Sequence, residues 1–210
     1  MTSDIELLRA AAEHAIAYAA SIDDRNATPA PDAIDALPAL DGPLPDRPTS
    51  SRETIDLLAT IGGPATIGST GAKYFGFVNG ATYPVALGAS MIADAWDQNA
   101  ALPVMSPVAA KLHDVTQRWL NELLGLPDHT DVAFVTGATV ANASCLAAAR
   151  DALLSDTGWD VQSDGLFGAP EITVIIGEQA HSTLRKSLGL VGLGRNRVTI
   201  VPADDQGRLL

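Results

Sequence analysis

The chain of 210 residues is 47% apolar and 18% charged, a balance that predicts an ordinary soluble globular protein with one buried domain or a domain plus an arm. Its formal net charge of −12 argues against a broad nucleic-acid footprint, which needs a basic surface, but leaves room for a small anionic ligand held by backbone amides. The one cysteine, Cys145, excludes an intrachain disulfide. The first 18 residues carry Asp4, Glu6, Arg9, Glu13 and His14 and so do not read as a signal peptide, and no run of about 18 apolar residues predicts a membrane span. A cytoplasmic protein is expected.

In chain order, Ser3-Asp4-Ile5-Glu6 has the pattern of a capping box, and the alanine-rich stretch to about Ser21 is predicted helical, with Leu8, Ala12, Ala15, Ile16 and Ala19 on one thin apolar face. Residues 27–48 hold Pro29, Pro31, Pro38, Pro43, Pro45 and Pro48, which predicts an extended arm. A second capping box at Ser50–Glu53 starts a short helix that ends at Gly62-Gly63-Pro64. Residues 1–65 therefore read as a helical arm laid over another surface, such as a partner subunit. Tyr74-Phe75-Gly76-Phe77-Val78-Asn79-Gly80 concentrates three of the seven Phe and Tyr residues. Helices are predicted over about 87–99 and 107–124, the second stopping at Gly125. Trp96 and Trp119 read as core or interface anchors.

From residue 131 the pattern alternates. Strands are predicted at Val132–Thr136, Ile172–Ile176 and Arg197–Val201, the second buried on both faces. Helices are expected at Ala138–Leu153 and His181–Leu190, with a polar loop over 155–170. Such alternation predicts an α/β domain with a mostly parallel sheet and helical crossovers over residues 66–210. The turn beginning at Asp204 enters what reads as a new element, so the sheet is expected to be incomplete at Leu210. Cys145, on an alanine-rich helix, is expected to be a buried, inert thiol. His113-Asp114 and the His129/Asp131 pair lack further ligands, and no metal site is expected.

Two segments carry candidate chemistry. Thr136-Gly137-Ala138-Thr139-Val140-Ala141-Asn142 joins a predicted strand to a predicted helix. Its small residues suit either a phosphate cup, with a helix start offering amides and Thr139 a hydroxyl, or a turn that merely seats a helix close on a sheet. It matches neither a Walker loop nor GxGxxG. Ala180-His181-Ser182-Thr183 follows a predicted strand, on the rim where open parallel sheets bind ligands. There His181 could stack on a ring or move protons, or it could make only a local hydrogen bond at a helix start.

The succession of Tyr74–Gly80, Ser106-Pro107 with Trp119-Leu120, Leu124–Pro127, Thr136–Asn142 with Ala147–Arg150, and His181-Ser182 resembles the group II pyridoxal-phosphate-dependent amino-acid decarboxylases, over about residues 50–208. The resemblance implies a fold type I large domain, pyridoxal 5'-phosphate as cofactor, an amino acid as substrate and a homodimer. Ala138 and Thr139 match residues that hold the cofactor phosphate, His181 the histidine that stacks on its ring, and Phe75, Phe77 and Asn79 the substrate mouth. Two departures from the family pattern stand out: Val140 replaces a common glutamate, and Ala72-Lys73 replaces a His-Pro. The lysine and the acidic residue that such enzymes use to anchor the cofactor and protonate its ring nitrogen lie, by resemblance, beyond the position of Leu210. Lys73, Lys111 and Lys186 match no such motif. The complete protein is expected to be a carboxy-lyase. The alternatives are another reaction on the same scaffold (transamination, aldehyde formation or carbon–carbon lysis) and a non-catalytic piece of a split or degenerate enzyme.

Overall fold

Ser3 opens the first helix as its sequence dictates. Its hydroxyl accepts the Glu6 amide at 3.2 Å while the Glu6 carboxylate accepts the Ser3 amide at 2.9 Å, so two spare donors are satisfied reciprocally at the head of α1 (Asp4–Ser21). The computed structural model describes residues 3–210. It divides into two compact units, Met1–Ser106 and Pro107–Leu210.

In the first unit, α1 packs on α3 (Ser51–Leu57). His14 and Arg52 both bond the carboxylate of Asp56, each at 2.8 Å. Arg25 lies 4.8 Å over the Tyr18 ring and donates to the Gly63 carbonyl at 2.9 Å. Of the second expected capping box the Ser50 half is present, its hydroxyl accepting the Glu53 amide at 3.4 Å. The helix then loosens into a π-helical turn, Leu58–Gly62, and a 3-10 turn, Gly63–Ala65.

The proline-rich stretch departs from the extended arm expected of it. It contains α2 (Pro31–Asp35) and a 3-10 turn, Leu37–Leu40. Proline is unfavourable inside a helix, but Pro31 sits at its first turn, where the missing amide would have had no partner and the fixed φ is already helical. The same rule moves the next helix: α4 (Pro84–Trp96) begins on Pro84, three residues before the expected start, and ends at Asp97 in the left-handed conformation.

The second unit opens with α5 (Pro107–Leu124), at the predicted bounds. Its end is a Schellman motif: Gly125 has φ 64°, Leu126 donates to the Asn121 carbonyl at 2.9 Å, and Gly125 donates to that of Glu122 at 3.3 Å. There follow α6 (Ala138–Ser155), α7 (Val161–Asp164), β1 (Ile175–Gly177), α8 (Ser182–Leu190) and β2 (Thr199–Val201). β1 and β2 pair in parallel, Ile175 with Thr199 through Gly177 with Val201, and α8 is the crossover between them. Leu154, Ile176, Leu188 and Val191 form the buried apolar centre, with α8 packed along α6. Past β2 the chain reverses, Ala203 bridging Leu209 in antiparallel fashion, and the Leu209 side chain lies where a Cβ on Gly177 would stand.

Three expectations need correction. Residues 132–136 form no strand, because a strand exists through its ladder and this segment meets no partner strand among the described residues. The strand expected at 172–176 is shorter and later, and Ile175 is 63% exposed, so it is not buried on both faces. Cys145 is exposed rather than buried, and the exposure of Trp96 and Trp119 removes the core half of their core-or-interface reading. Small residues around Cys145 marked a helix surface open to close approach, but that approach covers only the stripe facing α8.

The packing has two measurable consequences. Leu188 is fully buried, so Leu188→Ala is expected to cost about 2–5 kcal/mol in urea denaturation. In the other unit, Arg52 and then His14 hold the Asp56 carboxyl below the usual carboxylate range. Its contribution is then complete above the unfolded-state value and is lost as pH falls through the lower folded-state value. The stability difference between the wild type and Asp56→Asn should therefore shrink as pH drops below about 4. A difference independent of pH would show that the pairing contributes nothing.

Candidate functional site

Gly137, in extended conformation, is the N-cap of α6 and supplies no side-chain cap. Helical bonding begins when the amides of Val140 and Ala141 reach the Gly137 carbonyl, at 3.0 and 3.1 Å. The amides of Ala138 and Thr139 precede that point, at the positive end of an 18-residue helix with no acidic residue in its first turn. Ala138 is exposed and Thr139 half-buried. The arrangement favours an anion: donors, a hydroxyl and a dipole end converge with no competing carboxylate on the same turn.

His181 is the N-cap of α8. Its Nδ1 accepts the Thr183 amide at 3.2 Å and lies 2.9 Å from the Thr183 hydroxyl. Since Nδ1 accepts an N–H, the neutral ring carries its proton on Nε2. The local hydrogen bond considered for this histidine is therefore present, and it uses one nitrogen of an exposed ring.

The two predicted segments are linked through side chains of α6 and α8. Asn142 Nδ2 donates to the Thr183 hydroxyl at 3.5 Å, a long bond. The Ser187 hydroxyl lies 2.9 Å from both the Thr139 and the Thr183 carbonyls and shares its single proton between them. Ser187 is completely buried. Its role was legible only in part: Thr183 and Ser187 are four apart, hence on one helix face, and Leu184 and Leu188 sit beside them on a face that must pack.

Phe75, Phe77 and Asn79 belong to the first unit. Phe77 and Val78 have φ of 54° and 56°, and the Asn79 amide bonds the Gly76 carbonyl at 3.3 Å. This is a tight turn with both central residues left-handed, the conformation of a type I′ turn, which Asn and Gly adopt with far less strain than Phe and Val. Phe75 and Phe77 are each 93% exposed, and Asn79 Nδ2 donates to the Tyr74 hydroxyl at 3.3 Å. Lys73 Nζ donates to the Asp24 carbonyl at 3.3 Å. Among the described residues no group of three or more His, Cys, Asp or Glu side chains could hold a metal ion, and no helix is long and apolar enough to cross a membrane.

The architecture is that of fold type I pyridoxal-phosphate-dependent decarboxylases. The structure of mouse CSAD in apo form superposes over 97% of this chain and 42% of its own, with a TM-score of 0.84 at 19% identity. The glutamate decarboxylase domain of a diaminobutyrate-pyruvate transaminase and L-2,4-diaminobutyrate decarboxylase from Vibrio parahaemolyticus superposes over 100% of this chain and 47% of its own, with a TM-score of 0.82 at 21% identity. No family model matches the sequence. In sequence the chain is similar to the N-terminal part of group II amino-acid decarboxylases. Aspartate 1-decarboxylase of Aliivibrio fischeri is 26% identical over 194 residues, covering 80% of this chain and 35% of that protein. L-2,4-diaminobutyrate decarboxylase of Acinetobacter baumannii is 28% identical over 125 residues, covering 55% of this chain and 23% of that protein. The chain thus spans about a third or less of these relatives.

If Ser187 secures the start of α6 against α8, Ser187→Ala should lower stability by about 1 kcal/mol, the worth of one hydrogen bond, in chemical denaturation. No loss would mean that the Thr139 carbonyl finds another donor.

Proposed function

We propose that this chain supplies the phosphate-binding and ring-facing part of a pyridoxal-phosphate-dependent amino-acid decarboxylase. The observation that carries the reading is the uncapped start of α6, linked by hydrogen bonds to the helix that His181 caps, in a chain similar to the N-terminal part of such decarboxylases. Ala138 and Thr139 would hold the phosphate through their amides and the Thr139 hydroxyl, and the residues present fit that group: small side chains, spare donors and no first-turn acid. When bound, pyridoxal phosphate supplies an electron-accepting ring for the pair left as the α-carboxylate departs as carbon dioxide. His181 would lie against that ring, its proton on Nε2 available at the exposed edge. Phe75, Phe77 and Asn79 would line the substrate mouth.

The domain division we propose is a helical arm, residues 1–65, followed by the first part of the cofactor domain, residues 66–210. The complete protein would be cytoplasmic, as its composition suggests, and, as the resemblance implies, a homodimer acting on a small-molecule amino-acid substrate.

Titration of the chain with pyridoxal phosphate, followed by absorbance and intrinsic fluorescence, tests the phosphate assignment. Thr139→Val removes a hydroxyl donor to a dianion and should weaken binding about tenfold, whereas an exposed change on another helix such as Lys111→Gln should not. Equal affinity of wild type and Thr139→Val would reject the assignment. In the complete protein, release of carbon dioxide from an amino acid, lost in His181→Ala, is the expected activity.

A further inference from the structure

We propose that Thr183 is a positioning residue for His181, holding one tautomer and one tilt of the ring and tying both to α6; its bearing on cofactor chemistry rests on the reading of His181 given above. Three groups form a chain with a single direction. Asn142 Nδ2 can only donate, and it gives to the Thr183 hydroxyl at 3.5 Å. That hydroxyl, having accepted, gives its own proton to His181 Nδ1 at 2.9 Å. Nδ1 also takes the Thr183 amide at 3.2 Å, so two donors point at one lone pair. A ring protonated on Nδ1 would set its own N–H against both donors. The neutral imidazole is thereby driven to the Nε2–H form, with its unprotonated Nδ1 held by Thr183 at the start of α8.

The backbone that carries Thr183 is itself secured. Ser187, one turn later and completely buried, lies 2.9 Å from the Thr183 carbonyl and from the Thr139 carbonyl in the first turn of α6. The segment proposed to seat a phosphate and the residue that orients the imidazole thus share one hydroxyl. The Asn142–Thr183 bond is the longest in the chain, so a small separation of α6 from α8 breaks it before the others. Thr183 therefore makes the state of His181 depend on how closely α8 sits on α6. A serine would retain this function through its hydroxyl, and a valine of the same shape would not.

Long-range proton–nitrogen correlation spectra of the imidazoles decide the matter. The chain has four histidines, and the His181 signals are assigned by their loss in His181→Gln. In the wild type His181 should be in the Nε2–H form. Thr183→Val should move the tautomer ratio toward Nδ1–H about fivefold, in keeping with one lost neutral hydrogen bond, and Thr183→Ser should return it to the wild-type value. Asn142→Leu should give a smaller change in the same direction, and it serves as the readout if Thr183→Val does not fold. An unchanged ratio in a folded Thr183→Val, or in Asn142→Leu where the valine variant does not fold, overturns the proposal. Pyridoxal phosphate titration of the same proteins separates this from the cofactor reading. A wild type that fails to bind while Thr183→Val still shifts the tautomer overturns the cofactor reading and supports the positioning role. Normal binding with no tautomer change does the reverse.

Discussion

The close packing of α8 on α6 is the constraint from which the second unit follows. Helix α6 is built from Ala138, Ala141, Ala143, Ala147, Ala148 and Ala149 among other small residues, so another helix can approach its backbone rather than ride on long side chains. That approach buries Leu188 and Leu154 and brings the Ser187 hydroxyl to a carbonyl of α6. A buried hydroxyl is costly unless bonded, and that of Ser187 has the Thr183 carbonyl in its own helix as well as the Thr139 carbonyl of α6, so it ties the starts of both helices together without by itself setting their register. The parallel pairing of β1 with β2 then places α8 as the connection between adjacent strands.

Much of this was legible in the sequence, and what failed did so for a physical reason. Helices announced by local chemistry were placed well: Ser3 and Glu6 cap α1, Gly125 ends α5, and Gly137 precedes α6. These signals act within a few residues and need nothing from afar. The strand expected at Val132–Thr136 needed a neighbour, which no local pattern can supply. The prolines misled in the opposite sense. Six of them in residues 27–48 outweighed the particular positions of Pro31 and Pro38, which are the places in a helical turn where proline does no harm. Thr139 and His181 were visible as residues after expected strands, of which only the one before His181 forms. The brace between them was not, because Asn142, Thr183 and Ser187 are joined only when two helices meet.

The segment around Phe77 shows a different economy. Left-handed backbone at Phe77 and at β-branched Val78 costs of order 1–3 kcal/mol per residue, and these side chains repay nothing locally, since Val78 and both phenylalanines are almost wholly exposed. A chain under no other constraint would place Asn and Gly there. Strain combined with exposed aromatic surface is the pattern of a segment shaped for what it will touch rather than for its own stability, in keeping with the proposed substrate mouth.

A chain with a net charge of −12 is an improbable carrier for a phosphate dianion until the distribution of the charge is considered. Several acids are committed elsewhere by hydrogen bonds: Asp56 to Arg52 and His14, Asp151 to Arg150 and Gln162, Asp160 to the start of α7, and Asp204 to the turn closed by Arg208. Along α6 the first acid after Ala138 is Asp151, about 20 Å away at helical rise. That distance exceeds twice the Debye length of about 8 Å at physiological salt. The first turn is therefore screened from that acid on its own helix, while the amides that would meet a phosphate act at contact distance. Global charge governs what approaches the protein from afar, and the first turn of α6 governs what stays.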